Sequence, residues 1–335
     1  MKIRLLFTSV IVSIILVACG TTDSDITPSV SELTDVTFQM NWIHEYSVAP
    51  LHSAVNEGFF ANEGLDVTLA TGGFDDEGAY IDPFTQVLNG EAMFGLASTS
   101  QIIQARDAGS PVVAIMTLMQ RSPSVLLSLS ETGVQRPQDL EGLTIMMGDD
   151  NLTINLLLET QGIDPESINF VERTSFGIEP LLNGETDVMS AWIINEGVAV
   201  TESGNTPNYI VMSDYGIDAY SVVVFTSEDV INNNSDIVQS FVNAVTNGIN
   251  FAIANPAEAI EHTLSFNAEL DEDAQLRRLN AMIPLLNVPG INAGVMRNET
   301  WEFNANLLRD NDLISDDFNI DSTYSTRFTD AVPTD

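Results

Sequence analysis

From Val36 onward the chain alternates short apolar runs with longer segments whose apolar residues recur at helical spacing. Val36–Met40 reads as a strand and Val48–Phe60 as a helix ending near Gly58. Leu65–Ala70, apolar at every second position, reads as a strand closed by Gly72-Gly73. A helix over Ile81–Leu88 stops at Asn89-Gly90, and Met93–Leu96 predicts the next strand. Ser98 or Thr99 caps a helix running to Arg106, and Val112–Leu118 is again strand-like. A second set follows, with strands at Leu143–Met147, Ile168–Val171, Val188–Trp192 and Tyr209–Met212. Helices over Leu152–Gln161, Ile178–Leu182 and Ile193–Thr201 separate them, the first capped by Asn151. After Val222–Phe225 the pattern turns helical: Ser235–Ala254, Pro256–Leu264, Asp271–Ile283 and Glu299–Arg309. This alternation predicts an α/β protein with parallel, helix-covered sheets, built as one lobe, then another, then a helical return.

The first residues do not belong to that pattern. Lys2 and Arg4 precede an apolar stretch over Leu5–Ala18, too short to span a bilayer as a mature helix. It ends at Leu16-Val17-Ala18-Cys19-Gly20, which resembles the lipobox of bacterial lipoproteins. That resemblance implies a signal peptide over 1–18, cleavage before Cys19, lipid on its thiol, and export to the outer face of the cytoplasmic membrane or the periplasm. Residues 19–33, rich in Ser, Thr and Asp, read as a flexible tether.

Composition narrows the chemistry. Cys19 is the only cysteine and Lys2 the only lysine, so cleavage would leave no disulfide, thiol nucleophile, Schiff-base lysine or P-loop lysine. The formal net charge of −37 makes nucleic acid an unsuitable partner. His44, His52 and His262 show no metal-ligand spacing, and no Gly-x-Ser-x-Gly occurs. Neither a metal, nor a cofactor, nor catalysis is expected.

Several blocks in order carry a family resemblance. They are Gln39-Met40-Asn41-Trp42, Gly58-Phe59-Phe60 and Glu63-Gly64-Leu65-Asp66-Val67, then Gly90–Gly95 with Ser98-Thr99-Ser100. Pro111–Ala114 leading to Gln120-Arg121-Ser122-Pro123, Arg136–Gly142, and Trp192–Gly197 with Ser213-Asp214-Tyr215-Gly216 complete the set. Together they resemble the NMT1/THI5-like solute-binding proteins of ABC importers. The resemblance implies a two-lobed type II periplasmic-binding-protein fold, each lobe a mostly parallel sheet flanked by helices, with a ligand cleft between. Lobe 1 would comprise 34–125 and 220–330, and lobe 2 126–219. A small-molecule ligand, an ABC permease and a monomeric chain are implied as well. The family also contains a eukaryotic thiamine-pyrimidine synthase that uses a lysine and a cysteine-rich motif, both missing here after Cys19.

Ligand contacts are expected where strands end. Asn41, Trp42, His44, Glu45 and Tyr46 follow the first strand, a polar cluster costly to bury unpaired. Trp42 and Tyr46 as core, with His44 as a helix cap, is the competing arrangement. Ser98, Thr99 and Ser100 open a helix, where hydroxyls and free N–H groups can cap it or meet an acceptor. In the second lobe, Trp192 offers a stacking ring or an inter-lobe seal, with Asn195 and Glu196 close behind. Gln120 lies in a family block, and Tyr215 and Tyr220 lie near the return crossover. The pair Asp149-Asp150 argues against an anion, and Arg106, Arg136 and Arg173 are expected at solvent, leaving Arg121 near the hinge. Such a set suits a neutral or weakly basic flat heterocycle, and the family resemblance implies a thiamine pyrimidine precursor or a riboflavin-like compound. The alternatives are a small anion such as nitrate, a sulfonate or taurine, or a sensor in place of an importer.

Overall fold

The computed structural model describes residues 33–148, 151–173 and 177–332. Cys19, the signal segment and nearly all of the tether lie outside the described residues, as do Asp149, Asp150 and the side chain of Asn151. Among the described residues no helix is long and apolar enough to cross a membrane.

The chain starts with β1 (Thr34–Gln39), α1 (Ala49–Asn56), α2 (Phe59–Asn62), β2 (Leu65–Ala70), α3 (Pro83–Leu88), β3 (Phe94–Ala97), α4 (Thr99–Asp107) and β4 (Val112–Thr117). It continues with β5 (Ser124–Leu129), β6 (Thr144–Met147), α5 (Asn151–Gln161), β7 (Asn169–Glu172), α6 (Glu179–Leu182), β8 (Val188–Trp192), α7 (Glu196–Glu202) and β9 (Pro207–Val211). Then β10 (Val223–Ser227) leads into α8 (Glu228–Asn233), α9 (Ser235–Ala254), α10 (Pro256–Phe266), α11 (Glu272–Leu286), α12 (Asn298–Asp310) and α13 (Arg327–Asp330). Local signals set many of these boundaries. Asp82 caps α3 ahead of Pro83, Ser98 and Gln101 form a capping box on α4, and Asp271 caps α11.

Two five-stranded sheets result, in the orders β2-β1-β3-β10-β4 and β7-β6-β8-β5-β9. In each, one strand runs against its two neighbours, β10 in the first and β5 in the second. The remaining four strands share a direction, because a strand arriving from the other sheet enters from the opposite end. The chain thus crosses between sheets twice, over 118–123 and 212–222. Arg121 ties the crossings together, donating at 2.9 Å to both Ser213 Oγ and Asp214 Oδ1. No strand is predicted over Ser124–Leu129, and its presence as β5 is what makes the second sheet mixed.

Apolar side chains cover both faces of each sheet. On the first sheet, α9 buries Val238, Phe241, Val242, Val245 and Ile249 at three- and four-residue spacing. Phe241 stacks on Phe94 at 4.0 Å and on Phe38 at 5.6 Å. The other face is filled from α4 and α12, where Trp301 is wholly buried and stacked on Tyr324.

Where α9 crosses α1, Gly248 brings the helices so close that a Cβ there would stand 2.2 Å from the Pro50 carbonyl oxygen. Helix propensity alone favours Ala over Gly by about 1 kcal/mol. Gly248→Ala should nevertheless destabilise by about 1–3 kcal/mol, since backbone, not a flexible side chain, must give way. A denaturant midpoint equal to or above that of the parent would show that the two helices can separate at no cost.

Candidate functional site

Three loops at strand ends and the start of one helix converge on a cavity of about 570 Å³. From the first sheet come the segment after β1, the loop after β2 and Val222. The second contributes β5, the end of β8, the first residue of α7 and Arg173 after β7. The cavity therefore lies between the sheets, at the carboxyl ends of β1, β2, β7 and β8.

Its aromatic wall depends on a close approach of backbone. Gly72 donates its N–H to the Trp42 carbonyl at 3.0 Å, and a Cβ on Gly72 would collide with the backbone of residues 40–42. The loop after β1 is thus pinned to the loop after β2. That second loop folds back on itself, pairing Phe74 with Tyr80 and closing Ile81 N–H on the Gly73 carbonyl at 2.8 Å. Trp42 meets Phe74 edge to face at 6.2 Å, and Phe74 meets Tyr80 in the same manner at 5.8 Å. Tyr80 donates its hydroxyl to the Asn41 carbonyl at 3.2 Å, and burial pushes its pKa up. Trp42 keeps 41% of its surface exposed, Phe74 61% and Tyr80 45%, a concentration of open aromatic surface around the cavity.

On the far side stands Trp192, the last residue of β8 and 37% exposed. Behind it Glu196 is held at both oxygens. Oε1 accepts from Arg173 at 2.6 Å, and Oε2 accepts from the Trp192 N–H at 2.9 Å. Arg173 also donates to the Ser190 carbonyl at 2.9 Å. Expected at solvent, Arg173 is instead largely buried and lines the cavity, paired with the carboxylate that opens α7. At its other end α7 reaches out of the cleft, where Glu202 accepts from Arg277 of α11 at 2.6 Å. The same α11 presents Gln275 Oε1 to the Tyr46 N–H at 2.8 Å.

Of the sequence-derived candidates, Asn41, Trp42, Glu45, Tyr46, Trp192, Asn195 and Glu196 border this cavity. Tyr46 is almost wholly buried, so it serves the core and the cavity together, and burial raises its pKa. Burial likewise raises that of Glu45, against the opposing pull of a Ser47 hydrogen bond and the Arg278 charge. His44 does not border the cavity. It turns toward α1 and α10, its Nδ1 3.0 Å from His52 Nε2 and its ring stacked on Phe266. His52 is fully buried, with Nδ1 3.0 Å from Thr263 Oγ1. Burial first, and then the neighbouring His44 and His262, bring the His52 pKa down to about 3.

Ser98 and Ser100 border a second cavity of about 360 Å³, which shares Ser124, Trp192 and Met212 with the first. Thr99 is buried between them in sequence and donates its hydroxyl to the Tyr220 carbonyl. Gln120 is fully buried in the first crossing, where its amide donates to the Asn292 carbonyl at 3.4 Å. Tyr215 packs on the core of the second sheet, and Tyr220 accepts the Arg297 N–H at its hydroxyl. Sequence reasoning missed Phe74, Tyr80 and Arg173. The two aromatics had a signal, since they follow a strand end marked by Gly72-Gly73.

Comparison with known proteins gives a consistent picture. The family described as NMT1/THI5 like matches residues 45–259. The riboflavin-binding protein RibY of Chloroflexus aurantiacus is 23% identical, covering 98% of this chain and 98% of that protein. The formylaminopyrimidine-binding protein of Halalkalibacterium halodurans is 24% identical over 81% of this chain and 83% of its own length. A 4-amino-5-hydroxymethyl-2-methylpyrimidine phosphate synthase of Legionella pneumophila also matches, 21% identical over 88% of this chain and 92% of its own. Among solved structures, the periplasmic aliphatic sulphonate binding protein SsuA of Escherichia coli superposes with a TM-score of 0.64 at 12% identity. It covers 87% of this chain and 91% of its own, a likeness of fold.

Proposed function

This chain belongs to the NMT1/THI5-like family, and from that premise we propose that it is the extracytoplasmic solute-binding component of an ABC importer, capturing a small flat heterocycle of the thiamine-pyrimidine or riboflavin type. The observation that carries this reading is a cavity with open aromatic rings on both sides: Trp42, Phe74 and Tyr80 from one sheet, Trp192 from the other. Flat rings stack on such walls, and the names of two relatives point to compounds of that shape. An anion receptor fits less well, because the arginine in the cavity is already engaged by Glu196.

The two sheets, with their helices, act as lobes that close on the ligand as a hinge moves at the crossings 118–123 and 212–222. The permease reads the closed form. Cys19 carries the lipid that keeps the protein at the outer face of the membrane. The protein is not an enzyme in this reading: the histidines His44, His52 and His262 do not border the cavity, and the only lysine is Lys2.

Calorimetric titration of the full-length protein in detergent tests the reading, with hydroxymethylpyrimidine, formylaminopyrimidine and riboflavin set against nitrate and taurine. At least one heterocycle should bind, and heat from the anions alone overturns the assignment. Trp192→Ala should weaken the heterocycle about tenfold by removing one stacking face. Equal affinity in that variant would remove Trp192 from the binding surface.

A further inference from the structure

The charges of the described residues that line the cleft do not cancel. Among the described residues that line it, Glu45, Arg173 and Glu196 are the ionisable acids and bases other than tyrosine. Arg173 and Glu196 neutralise each other through a 2.6 Å contact. Glu45 remains, and among the described residues its carboxylate takes a single side-chain hydrogen bond, from Ser47 Oγ at 3.1 Å. Arg278 of α11 acts on it through the field, with no hydrogen bond between them among the described residues, and Tyr46 is its other titratable neighbour.

Glu45 also stands three residues from Trp42 in the same pinned loop and lines the same cavity as Phe74 and Tyr80. Aromatic faces together with a carboxylate that no described cation of the lining pairs with form an environment that favours a cation over a neutral ring of equal shape. We infer that the occupant of this cleft is a flat heteroaromatic that carries a positive charge, fixed or gained by protonation, with Glu45 as its counter-charge and Trp42 as its stacking face. The upward pull of burial on Glu45 agrees, since a carboxylate short of solvent gains most from a bound cation. The net charge of −37 gives the approach of such a ligand a favourable field. This inference rests on the proposed function and narrows it. An aminopyrimidine, with its basic ring nitrogen, meets the requirement, and an uncharged isoalloxazine does not.

Two matched pairs of probes separate charge from shape: 1-methylnicotinamide against nicotinamide, and N-methylquinolinium against quinoline. Each is titrated calorimetrically into the full-length protein in detergent near neutral pH. Each cation should bind at least about tenfold more tightly than its neutral partner. Glu45→Gln should erase that preference while leaving the neutral affinities within about threefold, and Glu45→Asp should keep its sign. A loss of packing alone would weaken both members of a pair equally. Indifference or preference for the neutral ring in the unaltered protein overturns the inference, with no variant needed. A preference that survives Glu45→Gln overturns the role of Glu45. If neutral pyrimidines or flavins bind in either case, the transport reading stands; if no ring compound binds, charged or neutral, both fall.

Discussion

Glu196→Ala should cost about 3–5 kcal/mol in a denaturant titration, more than the loss of any cleft aromatic. Both partners of the Arg173–Glu196 pair are nearly shielded from water, with side-chain exposures of 13% and 9%. Removing Glu196 leaves a buried guanidinium short of this carboxylate and strips the Trp192 N–H of its acceptor. The penalty comes from the desolvated charge that stays behind, not from the attraction that is lost. Arg173→Met combined with Glu196→Leu should therefore recover much of the stability, because neither charge then needs a partner. A single-variant loss below about 1 kcal/mol would mean that the pair behaves like one at the surface.

Acidification supplies the second large effect, centred on His52. An unfolded histidine titrates near 6.5, whereas the folded protein holds His52 neutral down to about 3. The unfolded chain thus binds the proton first as pH falls. The stability owed to neutral His52 is complete above about pH 6.5 and is lost progressively as pH falls toward 3. A shift of that size corresponds to several kcal/mol at the acid limit. Carboxylates titrate in the lower part of the same window, so the measurement is a difference. Unfolding midpoints of the parent and of His52→Gln should converge between about pH 7 and pH 4. Parallel midpoint curves would rule out a special role for His52.

Local patterns were enough to place most helices and strands, because caps, glycines and apolar spacing act over a few residues. The β5 strand escaped because Ser124–Leu129 has no helix beside it and becomes a strand through pairing with β8 and β9. Proximity in sequence pointed to the Asn41–Tyr46 segment, but not to which side chains face the cavity. Within that loop Glu45 borders the cleft, whereas His44 turns to His52 and Phe266. Only tertiary contacts decide between two adjacent residues. Phe74 and Tyr80 became a wall through the pairing of residues 74 and 80 across a reversing loop, and Arg173 was drawn inward by Glu196. Ser98 reads correctly as a cap, and its place beside the second cavity depends on where α12 packs.

The short helix α7 has one further consequence. Its first residue, Glu196, is clamped inside the cleft, and its last, Glu202, grips Arg277 on the layer that covers the opposite sheet. A helix of that length is a stiff rod of about 10 Å. One unbroken helix thus joins the Arg173–Glu196 pair in the cavity wall to the Arg277 contact outside it.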